Sequence, residues 1–374
     1  MTSIRITWTR RRFLAAATTL GGVALIPASG FGGAASKAKN RIIDVHHHFL
    51  PQPYMREEHE RLATFTHGAT RPDRLLHWTP EQALEAMDQD GIDVAIGSLS
   101  MPGVWYGDVP AARRLSRTWN EAAAKMVQDH PGRFGFFSVV APPDTDGALE
   151  EIAYALDTLK ADGVGLVSNY DGRELGDPSF APVLEELNRR RAVVYVHPTV
   201  APCCAALIPG LIPQMIEFPF DTTRTITSLL ISGTLARLGD IHWIFSHGGG
   251  TLPFLADRMK EIARANKDVA DRNPQGIEYQ LKQLYCDTAS ANGAPQLAAM
   301  TSFFPASHIL FGSDYPFVPP KECIEGLDHY SLSPRLRADI YRSNALTLMA
   351  RLRQSAPRAQ SLRRPPPPTS AYRR

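Results

Sequence analysis

The sequence predicts an α/β fold, a (β/α)8 TIM barrel, on three observations. Short β-branched runs alternate with segments of helical spacing along almost the whole body, which is how parallel βα units read. Eight such runs can be counted, and several end in histidine or aspartate, where a barrel carries its catalytic face.

The first predicted strand, residues 41–45, holds Ile42, Ile43 and Val45 and runs into His46-His47-His48. Residues 51–80 read as a long loop or small insertion. A helix over 81–90 leads to the second strand at 94–98, and a helix over 111–129 to the third at 134–140. A helix over 147–162 precedes the fourth strand at 163–167, and one over 179–191 precedes the fifth at 192–196. The remaining strands fall at 242–246, 284–287 and 309–312, with no internal repeat and no second domain.

Both ends have a different composition. Thr9-Arg10-Arg11-Arg12-Phe13-Leu14 is followed by an apolar stretch over 15–26 and by Gly32-Gly33-Ala34-Ala35. A basic start, a short apolar core and a small-residue cleavage site make a removable export signal over residues 1–35, too short and too rich in Gly and Ala for a membrane span. The paired arginines before Phe-Leu resemble a twin-arginine signal, which implies the export machinery of that name and a periplasmic location. That route carries folded proteins. Residues 354–374, with Pro365-Pro366-Pro367-Pro368, several arginines and no acid, are expected to form a disordered tail. The barrel domain is therefore expected over 39–353.

The whole sequence has a net charge of +2, but nine arginines lie in the two end segments, so the body alone is near −7. No basic patch argues for nucleic acid. Four cysteines, two adjacent at Cys203-Cys204, make no disulfide framework and are expected as free thiols.

Chemistry concentrates at strand ends. Side chains alternate along a strand, so His46 and His48 project together as a two-nitrogen clamp while His47 points away and is structural. The fifth strand ends in His197-Pro198, the sixth in His247-Gly248-Gly249-Gly250 and the eighth in Gly312-Ser313-Asp314-Tyr315-Pro316. Each of these residues has an ordinary alternative: a satisfied core histidine, a turn residue, a helix cap. Their joint arrival on strands one, five, six and eight points to one site.

The order His-x-His, His, His, Asp resembles the amidohydrolase superfamily. His247-Gly-Gly-Gly-Thr-Leu-Pro-Phe and Gly312-Ser-Asp-Tyr-Pro-Phe317 are similar to its branch of aminocarboxymuconate-semialdehyde and hydroxybenzoate decarboxylases. Arg133-Phe134-Gly135-Phe136-Phe137 and the run 151–156 are similar to the 6-methylsalicylate decarboxylases of that branch. The resemblance implies that His46, His48, His197 and Asp314 hold one divalent ion, Zn2+ or Mn2+. The fourth strand ends Val167-Ser168-Asn169-Tyr170 and lacks the lysine that binuclear relatives carbamylate, so one ion is expected. His247 is then the residue that polarises water or substrate and handles a proton.

The resemblance also implies that Arg258, eleven residues beyond His247, reaches a substrate carboxylate in a neighbouring subunit, so that the active unit is a homodimer. Arg74, ahead of Trp78, is a second candidate for carboxylate binding, and Trp105, Tyr106 and Phe317 follow strand ends and are candidates to stack on a flat substrate. The expected activity is non-oxidative decarboxylation of a hydroxybenzoate-like or muconate-like acid, with Asp314 or His247 delivering the proton. Two alternatives stand beside it: a hydrolase that aims a metal-bound hydroxide at a lactone, amide or ester, and an exported metal-binding protein without turnover.

Overall fold

A computed structural model describes residues 41–65, 75, 77–205, 207–349 and 352. The export signal, Arg74 and the tail expected from the sequence lie outside the described residues. Eight strands form one parallel sheet in chain order: β1 (Ile42–His48), β2 (Ile92–Ser98), β3 (Phe134–Val139), β4 (Gly163–Val167), β5 (Val193–His197), β6 (His242–Phe245), β7 (Tyr285–Asp287) and β8 (Ile309–Leu310). The residues after β8 return to β1: the Val45 N–H donates to Phe311 O (2.9 Å), Asp314 N–H to His46 O (2.8 Å) and His48 N–H to Tyr315 O (2.7 Å). The predicted eight-stranded barrel is thus observed, each strand lying within a few residues of its expected place.

Helices fill the connections, among them α1 (Gln52–Phe65), α2 (Pro80–Asp90), α3 (Val109–Asp129), α4 (Thr145–Ala153), α5 (Ala181–Arg189), α6 (Glu217–Ile231) and α7 (Leu252–Ala265). Their starts follow local chemistry. Thr79 caps α2 in a capping box with Gln82, Asp108 caps α3 and Asp144 caps α4, each satisfying backbone N–H groups that have no partner within the helix. The segment expected as a loop or insertion after β1 contains α1. The helix expected over 147–162 instead ends at Ala153 and widens into a π turn, Tyr154–Thr158, before Lys160 takes a left-handed backbone.

The core has two layers. Inside the barrel, Ile43 and Val45 pack with Phe137, Tyr195, Ile244 and Leu310, and Phe137 stacks on Tyr195 at 5.1 Å. Outside it, residues such as Ile42, Phe134 and Val194 pack with the helices. A shift in the β1–β2 register between Asp44 and His47 lies just where the histidines begin. Such a bulge re-aims side chains: Ile43 and Val45 face inward, and beyond the shift His46 meets inner Tyr195 at 5.5 Å while His47 meets outer Phe49 at 6.1 Å. All four cysteines are free, and among the described residues no helix is long and apolar enough to cross a membrane.

Candidate active site

Three strand ends bring the predicted metal-binding residues together, and a fourth adds His247. His46 Nε2 lies 3.1 Å from His48 Nε2 and 3.3 Å from Asp314 Oδ1, and His48 Nε2 lies 3.0 Å from the same oxygen. The His197 ring centroid is 5.0 Å from that of His48 and 5.4 Å from that of His46. His46, His197, His247 and Asp314 each offer a ligand atom within 4.8 Å of the others. Donors about 2.0–2.1 Å from one ion stand about 3.3–3.4 Å apart at a tetrahedral centre and about 2.9 Å apart at adjacent octahedral positions. The spacings among His46, His48 and Asp314 fall in that interval, so these three donors fit one divalent ion of either geometry, with His197 close by.

The outer partners fit as well. His46 Nδ1 donates to Asp287 Oδ2 (3.0 Å), His48 Nδ1 to Ser98 O (3.3 Å) and His197 Nδ1 to Pro198 O (2.8 Å). A carboxylate or carbonyl accepts in each case, which fixes the proton on Nδ1 and leaves Nε2 free as a ligand. His247 differs. Its Nδ1 is buried with no partner among the described residues, while its Nε2 lies 3.5 Å from Asp314 Oδ2.

The electrostatics favour a cation at this point. Burial lowers the His48 pKa and drives that of His197 well below its ordinary value, so both rings are held neutral, as metal ligation requires. Burial opposes a charge on His46 too, but Asp287 and Asp314 outweigh it and raise its pKa to about 10. Burial would raise the Asp314 pKa, yet His46 and the hydrogen bonds from the surrounding histidines hold it well below the ordinary carboxylate value.

The backbone is under strain at the same place. His247 and Asp314 have φ of 53° and 67°, in the left-handed region that side chains other than glycine rarely adopt. Gly312 is confined by its neighbours, since a Cβ there would lie 2.7 Å from His46 Cβ and 2.9 Å from Asp287 Cγ.

His197, His247 and Asp314 open into a cavity of about 760 Å³ that Phe317 also lines. The Phe317 ring stands edge-on to His48 at 5.3 Å. The other expected substrate contacts lie elsewhere. Trp105 donates its indole N–H to Asp171 (2.7 Å) and lines a separate cavity of about 180 Å³, and the Tyr106 hydroxyl donates to Gly103 O (3.1 Å). Arg258 is exposed on α7 and does not line the main cavity. At the end of β4, where binuclear relatives were expected to carry lysine, the Ser168 hydroxyl donates to Asp221.

The amidohydrolase family model matches residues 43–349, which takes in the eight strands except for Ile42 and all the converging histidines. The chain belongs to the amidohydrolase family. This amidohydrolase is 40% identical over 291 residues to the decarboxylase yanB of Aspergillus niger, across 74% of this chain and 77% of the relative. It is 37% identical over 327 residues to the 6-methylsalicylic acid decarboxylase acuB of Aspergillus aculeatus, across 84% of this chain and 97% of the relative. Its fold matches the crystal structure of a 5-carboxyvanillate decarboxylase from Novosphingobium aromaticivorans in complex with manganese and 4-hydroxy-3-methoxy-5-nitrobenzoic acid. That match has a TM-score of 0.74 at 21% identity, covering 83% of this chain and 96% of the other.

Two carboxylates of the amidohydrolase site escaped the sequence reading. Asp287, at the end of β7, receives His46 Nδ1 on one oxygen, and on the other the backbone N–H groups of His247 (3.1 Å) and Ala289 (3.0 Å). One side chain thereby holds a candidate metal-binding histidine and the histidine beside it. Asp44 accepts from His47 Nδ1 (3.1 Å), Ser313 N–H (3.0 Å) and the Ser313 hydroxyl (2.5 Å), fastening the turn that carries Asp314. The available signal for Asp287 was its place at a strand end, shared with His197 and His247.

Proposed function

We propose that this amidohydrolase is a metal-dependent, non-oxidative decarboxylase of a hydroxybenzoate-like acid. The observation that carries the reading is the convergence of His46, His48, His197 and Asp314, of which His197 and Asp314 line a largely apolar cavity, with His247 beside Asp314. The named activities of the Aspergillus relatives support it.

His46, His48, His197 and Asp314 would hold one divalent ion, with zinc favoured by three nitrogens and one carboxylate, and manganese, present in the 5-carboxyvanillate decarboxylase structure, also compatible. When bound, that ion supplies Lewis-acid polarisation of the substrate carboxylate and the neighbouring phenol oxygen. Losing CO2 directly from an aromatic ring would leave an aryl carbanion without stabilisation, and protonating the ring carbon first avoids this. His247 and Asp314 are the groups placed to move that proton. Asp314 Oδ1 faces His46 and His48, while its Oδ2 is turned to His247 Nε2 at 3.5 Å. A C–H bond forms at the ring carbon, the C–C bond to the carboxylate breaks, its electron pair restores aromaticity and CO2 leaves. His247, without an orienting partner on Nδ1, is suited to exchange protons rather than to hold a fixed tautomer.

Phe317 would stack against the flat ring. Arg258, exposed on α7, is read as serving a neighbouring subunit's site in a homodimer, and Arg74 as a second carboxylate-binding residue. Twin-arginine export to the periplasm, with removal of residues 1–35, completes the reading. A panel of hydroxybenzoates and lactones given to the metal-loaded protein tests it: CO2 release from a hydroxybenzoate is expected, and acid release without CO2 would make the protein a hydrolase instead.

A further inference from the structure

We propose that the preferred substrate is an aryl acid whose ring carries an apolar chain of several carbons, favoured over a bare or methyl-substituted hydroxybenzoate. This rests on the decarboxylase reading for the acid head alone; the chain is argued from the cavity.

The first ground is size. A hydroxybenzoate has about ten heavy atoms, and even at liquid water's share of about 30 Å³ each it would fill under half of such a space. The cavity measures about 760 Å³, in the range that takes a drug-sized ligand. The second ground is how polarity is distributed. The titratable groups His197, His247 and Asp314 gather at the strand ends, and among the described residues of a single subunit no lysine or arginine lines the cavity. Its walls include Leu50 and Met300, both buried, and its rim includes Ile212, Met215 and Phe254.

The third ground is the exposure of that rim. Ile212 is 42% exposed, Met215 69% and Phe254 86%. Single exposed apolar residues are ordinary, but here three large ones border the mouth of a cavity that is itself apolar-walled. Uncharged polar residues, Ser100, Gln214, Thr251, Ser290 and Gln296, also line the cavity, but its larger side chains are apolar at wall and rim alike, which fits a ligand whose head sits by His197, His247 and Asp314 and whose tail runs outward. Each methylene laid on such a surface is worth about fourfold in affinity.

The test uses the full chain loaded with zinc and an alkyl series in two forms. One form is 6-methyl-, 6-propyl- and 6-pentylsalicylate, assayed for CO2 release. The other is the corresponding 3-alkylphenols, whose binding is measured by calorimetry and needs no turnover. The expected result is that 3-pentylphenol binds at least about tenfold tighter than 3-methylphenol, with a more negative heat-capacity change. The ratio of kcat/KM for pentyl over methyl should rise in parallel, and Met215→Ser and Phe254→Ser should each lower it. Equal or weaker binding of the pentyl compound, or turnover of 6-methylsalicylate alone, overturns the proposal while the decarboxylase reading stands. A chain-length gain in phenol binding with no CO2 from any salicylate sinks the decarboxylase reading and leaves the proposal standing. If Phe254→Ser converts a dimer to a monomer in sedimentation and leaves the pentyl-to-methyl ratio intact, the rim covers a second copy of the chain, and its assignment to the ligand fails.

Discussion

Replacing Asp287 by asparagine isolates what a buried carboxylate does for a histidine of the proposed metal site. Asp287 and His46 are both fully buried, 3.0 Å apart, and the other Asp287 oxygen accepts two backbone N–H groups. An asparagine in this space has one workable orientation, because its carbonyl must stay on the two N–H donors. Its amide nitrogen then faces His46 Nδ1 and donates to it, driving the ring to the tautomer protonated on Nε2, the nitrogen that points at His48 and Asp314. Loss of an outer partner typically weakens metal binding about 10–100-fold, or about 1.4–2.7 kcal/mol. With no solvent to substitute, the upper end, about 100-fold, is expected here. The assay is competition for zinc against a chromophoric chelator, with a thermal melt of the metal-free protein as a control for folding. A zinc affinity within about threefold of the parent, in a variant that melts normally, would refute the claim that Asp287 sets the His46 tautomer.

Three further predictions use different handles. His247→Ala is expected to keep zinc within about threefold while kcat for decarboxylation falls by about 10²–10⁴, whereas His48→Ala loses zinc outright; zinc loss from the His247 variant would make that residue a ligand. Gly312→Ala drives a methyl group toward His46 Cβ and Asp287 Cγ, at 2.7 and 2.9 Å, so zinc binding should weaken by about tenfold or more, and unchanged binding would show that the two side chains yield freely. Glu174 has its pKa pushed from an ordinary 4.5 to about 8, by burial first and then by Asp221. The unfolded chain releases that proton from about pH 4.5 and the folded chain holds it to about pH 8, so Glu174 erodes stability as pH rises through this window. Glu174→Gln should therefore melt higher than the parent at pH 8 and equally at pH 4, and a melting difference that does not change with pH would contradict it.

Most of the site was legible because its chemistry sits on periodic elements. His46 and His48 are related by the two-residue period of a strand, and His197, His247 and Asp314 each follow a β-branched or aromatic run at a strand's end. What was not legible depends on closure of the barrel. Asp287 acquires meaning only when β7 lies beside β6 and near β1, because nothing in Tyr285-Cys286-Asp287 announces a partner 241 residues away. The register shift in β1 that turns His46 and His48 inward is a backbone event, and alternation alone does not reveal it. The loop after β2 placed Trp105 on Asp171 rather than over the site, a contact between two loops that has no periodicity to read. The rim residues Ile212 and Met215 lie in the long connection between β5 and α6, where an apolar residue carries no sign of which cavity it borders.

The central claim is that the converging histidines and Asp314 make a metal-dependent decarboxylase that protonates its substrate ring. The most direct measurement follows 6-methylsalicylate in D2O with protein stripped of metal and then reloaded with zinc or manganese, recording CO2 and the phenol product by mass. Equimolar CO2 and 3-methylphenol are predicted only after reloading, with deuterium at the carbon that lost the carboxylate. CO2 release that survives stripping, or no release from any hydroxybenzoate while a lactone is opened to its acid, would contradict it.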